Sequence, residues 1–414
     1  MRIIKSLIDD NYVYSSERMG FLYESLYINK NFSFFKGIIR FGYCFYRSLK
    51  HTTLKIFFIK KRSGIALIGS YNNYETIKPF MNEMELNVVS FLKKYDKTTI
   101  FPLFYVYVLS VLTFPVTILL FVYGSRYVKT SFKYCLNEYV LIPPLRIYYW
   151  FLFVVVKPKF IIIVNDHICY FRSAVKVAKS LSIKTFYIQH ASVTEKFPSL
   201  FTDVAFLDGE DSKQKYLSHT KATTCKIYLT GSSKYDALWH IHKPINKIIN
   251  IGIATNEYDS LEIVETLINS LKNKFIIYLR SHPADKRFLK WEQMAKNNHV
   301  NWSSSHEESV FDFLKSVDSI IAYNSSILLE SMITGRPSFS FQLSHEEFDH
   351  YGFQKQKLIK HYKDINLLTD SIESGRWECD FTKCKFYYEL YGDKDAGEST
   401  KNIISLIKKE ILCK

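Results

Sequence analysis

The sequence predicts an α/β chain made of two parallel-sheet halves, and three observations carry the prediction. Short apolar runs rich in Ile, Val, Phe and Tyr recur along the chain, each closed by polar or glycine residues. Amphipathic helical stretches follow several of them, and strand, polar loop, helix in repetition is the pattern of a parallel sheet. The theme runs once up to about residue 235 and restarts near 249.

In the first half, Gly64-Ile65-Ala66-Leu67-Ile68-Gly69 reads as the first buried strand, with a polar loop and a helix beginning near Tyr74. Residues 159–164 form the next strand and run into Asn165-Asp166-His167. A helix over 172–181 follows, with Ala174, Val175, Val177 and Ala178 apolar. Residues 184–188 end at Gln189-His190, residues 204–207 at Asp208-Gly209-Glu210, and residues 226–229 at Thr230-Gly231-Ser232. Residues 236–248 show no period and read as a linker. In the second half, strands over 247–254, 275–279, 317–323 and 337–341 end at Thr255-Asn256, Arg280-Ser281-His282-Pro283, Asn324-Ser325-Ser326 and Gln342. The expected domains are a basic aromatic region over 1–62, an N-terminal half over 63–235 and a C-terminal half over 249–380. A helical segment over 381–414 follows, amphipathic from Ser399 to Leu412.

Composition narrows the functional classes. An apolar content of 47% excludes a disordered chain. Lys and Arg number 55 against 40 Asp and Glu, a net charge of +15, which favours anionic partners such as lipid headgroups, nucleotides or glycans. Seven scattered Cys, with no C-x-x-C pair and no zinc set, read as unpaired thiols of a reducing compartment. Asp9 and Asp10 follow a basic start without a long apolar core, which does not read as a signal peptide. A cytoplasmic location is expected.

Residues 98–125 contain no charged residue. The length suffices to span a bilayer, but Lys93, Lys94 and Lys97 precede the run and Arg126 and Lys129 follow it, so the positive-inside rule picks no side. Pro115 is expected to kink or break a helix there. A span, a hairpin or interfacial insertion, and a buried helix pair all fit. The insertion is favoured because a single crossing would put the flanking stretches of one domain on opposite sides of the membrane. Residues 1–62 mix Lys and Arg with Tyr and Phe, as a headgroup interface or a helical subdomain would; no motif points to nucleic acid.

The second half carries the chemistry. Pro283 forces His282 into an extended conformation at a strand end, and a protonated imidazole there neutralises a phosphate and assists its departure. Ser325 and Ser326 open a helix whose free N–H groups and hydroxyls suit phosphate oxygens. Glu330, one turn on, is placed for ribose hydroxyls. The helix stops at Gly335-Arg336-Pro337. Thr255 and Asn256 lie at the same edge. In the first half, Asp166 is the preferred base for an acceptor hydroxyl; His190 competes, and Asp208 trails on the acceptor side. Each also suits a structural role: cap, exposed helix acid, or strand-end histidine. No Asp-x-Asp dyad and no P-loop occurs, so neither a metal nor an NTPase site is expected.

Two such halves, His282-Pro283, Ser325-Ser326 and the Gly335-Arg336-Pro337 stop resemble bacterial GT-B glycosyltransferases of surface polysaccharide synthesis. The His-Pro and Ser-Ser pairs are similar to those of CMP-sugar-dependent sialyl- and polysialyltransferases and of capsule Kdo transferases. Gln189-His190-Ala191 is similar to a Gln-His-Gly stretch of related capsule enzymes. The resemblance covers residues 155 to 412. It implies two Rossmann-like domains facing a cleft, with His282, Ser325 and Ser326 on the CMP phosphate, Pro283 fixing the turn, no cofactor, and inversion at the anomeric carbon. The family's acidic base often stands in an acidic-acidic-Gly motif; Leu207-Asp208-Gly209 departs from it, which leaves Asp166. The implied partners are a nucleotide-sugar donor and a lipid-linked or polysaccharide acceptor; the basic aromatic start and the 98–125 segment are expected to hold the chain at the anionic inner leaflet of a bacterial inner membrane, peripherally or monotopically. The alternatives are a UDP-sugar transferase or CDP-polyol phosphotransferase, a non-hydrolysing sugar-nucleotide epimerase, and a membrane-attached scaffold with a degenerate site.

Overall fold

The structure is a computed structural model describing residues 2–16, 33–52, 55–58, 61, 63–91, 93–218 and 224–412. Residues 17–32 of the basic aromatic region and Cys413 lie outside the described residues. None of the six cysteines within them forms a disulfide.

The chain divides into two compact units. Unit 1 comprises residues 1–208, 212–230 and 400–414, and unit 2 comprises 209–211 and 231–399. The stretch read as a linker therefore falls inside unit 2, where Ser233–Trp239 is a helix.

Among the described residues, unit 1 holds seven parallel strands: β1 (Gly64–Ile68), β2 (Leu86–Ser90), β3 (Thr98–Ile100), β4 (Phe160–Ile163), β5 (Lys184–Ile188), β6 (Val204–Leu207) and β7 (Lys226–Leu229). Their order is β3-β2-β1-β4-β5-β6-β7. Unit 2 holds β8 (Asn250–Thr255), β9 (Ile276–Ser281), β10 (Asn301–Ser303), β11 (Ser319–Ala322), β12 (Ser338–Phe341) and β13 (His361–Tyr362), in the order β10-β9-β8-β11-β12-β13. Every pairing between these strands is parallel. In both sheets the order reverses beside the first strand, between β1 and β4 and between β8 and β11. Such a switch point opens a crevice at the carboxyl ends of the strands.

Both faces of the unit 1 sheet are covered, which is why its strands read as unbroken apolar runs. Ile65, Leu67, Ile161 and Ile163 face one core; Ala66, Ile68, Ile162 and Val164 face the other. Ile403, Ile404 and Ile407 of the Ser399–Leu412 helix close the second. That helix, read from the sequence as a separate segment after the second half, thus completes unit 1. Glu410 secures it, lying 3.1 Å from Lys184 and 2.6 Å from Lys226 and accepting from the Tyr228 hydroxyl at 2.7 Å. The bonds to Lys226 and Tyr228, aided by Lys184, hold its carboxyl down at about 2. A lowered carboxylate stabilises the fold above its ordinary value near 4.5 and loses that contribution as pH falls toward 2. Glu410→Gln is expected to cost about 1 kcal/mol at neutral pH, or roughly 2–4 °C in Tm. In thermal melts the gap from wild type should close as the pH drops through this window.

The uncharged run over 98–125 is divided between a strand and a helix. Thr98–Ile100 is edge strand β3, and a helix spans Leu103–Tyr123 without a break at Pro115. Proline removes the bond to Val111, and both residues lie on the exposed side, so the helix bears one loss without exposing its packed face. A second helical stretch, Arg126–Val156, turns back at Gly124-Ser125 and leads into β4; it kinks at Cys135, φ -130° and ψ 33°, and carries Pro143 and Pro144 beyond the kink. Both are long and apolar enough to cross a membrane by length and composition. Here they pack on the sheet: Val106, Leu120, Tyr139 and Leu152 share the core of Ile65 and Ile163.

Candidate functional site

The unit 2 crevice is built by three adjacent strand ends. β8 lies between β9 and β11, with Thr255 opposite Ser281 and Ala254 opposite Ala322. The His282 N–H donates to the Thr255 carbonyl at 2.8 Å, and Asn256 Nδ2 donates to the Tyr323 carbonyl at 2.8 Å. Strand spacing therefore sets His282 and Ser325 about 10 Å apart across β8. Arg287 draws the loops after β8 and β9 together, donating to the Asn256 and Asp259 carbonyls at 2.8 and 2.7 Å and to Asp285.

His282 is exposed, and Pro283 follows it at the turn. Its Nδ1 accepts from the Ala284 N–H at 3.1 Å. In the neutral ring the proton therefore sits on Nε2, which serves as a donor. Loss of hydration lowers its pKa below the ordinary 6.5; Glu257, Asp285 and Glu330 pull it up, and Lys234 pushes it down. This replaces the expected protonated imidazole with a neutral one, because a backbone donor occupies the second nitrogen.

At the end of β11, Asn324 takes a left-handed φ of 48°. Its side chain holds the turn, donating to the Phe348 carbonyl at 2.6 Å and accepting from the His350 N–H at 2.9 Å. Ser325 and Ser326 follow, half-buried, at the start of the Ile327–Ile333 helix. The Ser326 hydroxyl donates to Glu330 at 3.1 Å, whereas Ser325 Oγ has no partner among the described residues. Glu330 is 2% exposed and pairs with Lys234 at 2.5 Å. The carboxylate expected at the ribose is thus committed to a lysine and a serine. The helix ends at Gly335, φ 80°, where a Cβ would lie 2.9 Å from the Lys243 backbone.

Asn256 also spends its side chain on bracing: besides Tyr323, it accepts from the Tyr258 N–H at 2.8 Å. Thr255 is buried, its backbone carbonyl bonded to His282. Lys234 was not singled out in the sequence. It stands just ahead of the stretch without a clear period, and only the packing of the Ser233–Trp239 helix brings it to Glu330.

In unit 1 the switch point falls between Gly69-Ser70 and Asn165-Asp166-His167. Asp166 is 1% exposed. Its Oδ1 lies 2.9 Å from His167 Nδ1, and its Oδ2 accepts from the Tyr216 hydroxyl at 2.7 Å. Tyr187 sits 2.9 Å from Tyr216; burial, then Asp166, drives both phenols well above their ordinary range, so they remain protonated. A carboxylate so enclosed orients His167 rather than meeting substrate. His167 Nε2 lies 3.3 Å from Asn165 Nδ2, and the ring packs on Phe197 at 5.0 Å. The sign in the sequence was an acid and an imidazole side by side after a buried strand. His190 is half-buried at the end of β5, one strand away. Gln189 before it accepts from the Asp208 N–H and donates to the Ala191 carbonyl, both at 3.0 Å, which fixes the loop. Asp208 is buried at the end of β6.

No family model matches the chain, and no curated protein matches it in sequence. Solved structures match it in shape. UDP-GlcNAc 2-epimerase from Neisseria meningitidis superposes with a TM-score of 0.54 at 13% identity, over 84% of this chain and 99% of that one. The wall teichoic acid polymerase TagF gives 0.52 at 14% identity, over 91% and 97%. A putative UDP-N-acetylglucosamine 2-epimerase from Listeria monocytogenes gives 0.52 at 11%, over 86% and 98%. The fold is GT-B. At these identities the likeness fixes the GT-B architecture, two parallel-sheet Rossmann-like units, and the chemistry rests on the residues above.

Proposed function

We propose that the protein is a glycosyltransferase that moves a nonulosonic or ulosonic acid from a CMP-activated donor to a glycan hydroxyl in surface polysaccharide synthesis. One observation supports the choice of donor. Lys234, Arg280 and Arg287 at the unit 2 edge are each paired with a carboxylate, and His282 is neutral. The edge offers hydrogen-bond donors with little surplus positive charge. That suits the single charge of a CMP-sugar phosphodiester better than the two charges of a nucleoside diphosphate sugar.

In this reading the acceptor oxygen attacks the anomeric carbon as the bond to the CMP phosphate breaks, inverting the centre. The hydroxyl proton passes to an imidazole of unit 1. His167, oriented by Asp166, is our assignment, with His190 the alternative. Charge growing on the departing phosphate is met by His282 Nε2–H and by Ser325 with the N–H groups that follow it. No step of this reading calls on a metal.

A second reading, a CDP-polyol phosphotransferase, draws on the TagF structure with CDPG, which has a TM-score of 0.50. An epimerase shares the fold but has no use for the outward apolar helix described below. Thermal melts with CMP, CDP and UDP separate the readings. CMP at about 100 times its Kd should stabilise unit 2 by about 2.7 kcal/mol. A larger shift with CDP or UDP would move the assignment to that donor, and no shift with any nucleotide would remove the transferase reading.

A further inference from the structure

The Leu103–Tyr123 helix is apolar on both sides, and its Ser and Thr residues lie on the packed one. Its buried positions include Tyr107, Ser110, Thr113 and Thr117, while Val111 and Leu112 are 70% and 76% exposed. Ser110 and Thr113 return their hydroxyls to carbonyls of their own helix, at Tyr107 and Leu109. A helix in water presents the opposite arrangement. The Phe34–Ser48 helix behaves alike. Gly37 is buried against the Arg126–Val156 helix, where a Cβ on it would lie 3.3 Å from Leu136, while Phe35, Ile39 and Tyr46 are exposed. Two neighbouring helices with outward apolar faces form a patch that a water-exposed monomer does not display.

Between them runs a groove of about 850 Å³, lined by Phe34, Phe114, Ile118 and Phe121 and rimmed by Arg126, Lys129 and Lys133. The three cations stand at i, i+3 and i+7 on one helix face, all exposed, and none makes an ion pair among the described residues. An apolar slot with unpaired cations along one rim has the chemistry of a lipid tail joined to an anionic head.

We propose that this groove seats one acyl chain of an anionic phospholipid, with the phosphate on Arg126, Lys129 and Lys133 and the flanking apolar faces set in the headgroup boundary. The site adds a membrane-facing side to the transferase proposed above and rests on that reading. Its test uses neither donor nor acceptor, so lipid binding and transfer stand or fall separately.

The full chain is sedimented with phosphatidylcholine vesicles with and without phosphatidylglycerol. Binding is expected only with phosphatidylglycerol and should weaken with salt. The Arg126→Glu/Lys129→Glu/Lys133→Glu chain should bind about a hundredfold more weakly, with an unchanged melting curve because all three side chains are exposed. Val111→Asp/Leu112→Asp should weaken binding while keeping its dependence on phosphatidylglycerol. Equal binding to both vesicle types, or wild-type binding by the triple variant, would overturn the site. Phosphatidylcholine vesicles doped with a polyprenyl phosphate form a third arm; binding to these but not to phosphatidylglycerol would overturn the phospholipid assignment in favour of a lipid-linked substrate. A lipid-free dimer whose association these substitutions abolish would overturn it in favour of a second copy of the chain.

Discussion

Replacing His282 by alanine is expected to lower transfer by about 10²–10³-fold and to leave the melting temperature where it was. The ring is exposed at the end of β9, and its visible anchor is the Ala284 N–H on Nδ1. Removing it takes nothing from the core but deletes a donor aimed where charge grows on the departing phosphate. His282→Gln, which keeps a terminal N–H, should recover some of the loss. Steady-state kinetics with a CMP-sugar measure both, and a His282→Ala enzyme at the wild-type rate would dismiss this crevice as the donor site. The pH profile adds a check. Loss of hydration lowers the pKa of this imidazole, so the neutral donor form persists as pH falls through 6.5. No decline attributable to His282 is expected until the medium is more acidic than that. A protonated ring would also take the acceptor away from Ala284, which opposes protonation further.

The largest effect on stability is expected at Asp10. Its side chain has no exposure and is held by Arg146 at 2.8 Å, Lys176 at 2.7 Å and the Ser173 hydroxyl at 2.8 Å. Asp9 beside it takes Arg172 and Lys176, both at 2.9 Å. Burial alone would raise the Asp9 carboxyl, but the two cations outweigh it and leave it lowered. The Arg2–Asp10 helix is thereby fastened to the Cys169–Ser180 helix, whose Arg172 also donates to the Asp166 carbonyl at 2.9 Å. Asp10→Ala leaves Arg146 and Lys176 facing a buried void. The expected cost is about 3–5 kcal/mol, which lowers Tm by roughly 10 °C. Thermal unfolding followed by circular dichroism reads this directly, and a change below about 2 °C would show that the cluster is not what fastens the helix.

The parallel sheets were legible because strands buried on both faces must be apolar throughout, as 64–68 and 160–163 are. β2, β3, β10 and β13 escaped notice: the last three have three, three and two residues, too few to show a period, and Asn87 interrupts the apolar run of β2. His282, Ser325, Ser326 and Asp166 were found at strand ends because polar residues following a buried run have few other reasons to be there. Their partners were not, since Lys234 reaches Glu330 across 96 positions and Tyr216 reaches Asp166 across 50. Likewise, the lack of charge between 98 and 125 showed that something apolar had to be covered, but not which side of the helix faces outward.

The order of residues alone, then, dictated the α/β class, the two halves and the edge at which polar groups gather, because burial and local backbone preference act over a few neighbours. It took the folded chain to establish that Glu330 pairs with a lysine, that Asp166 stands behind an imidazole, that the last helix completes the first unit, and that the apolar helix points its serines and threonines inward. Those outcomes depend on which distant side chains share a desolvated space, and ion pairing and hydration are settled there.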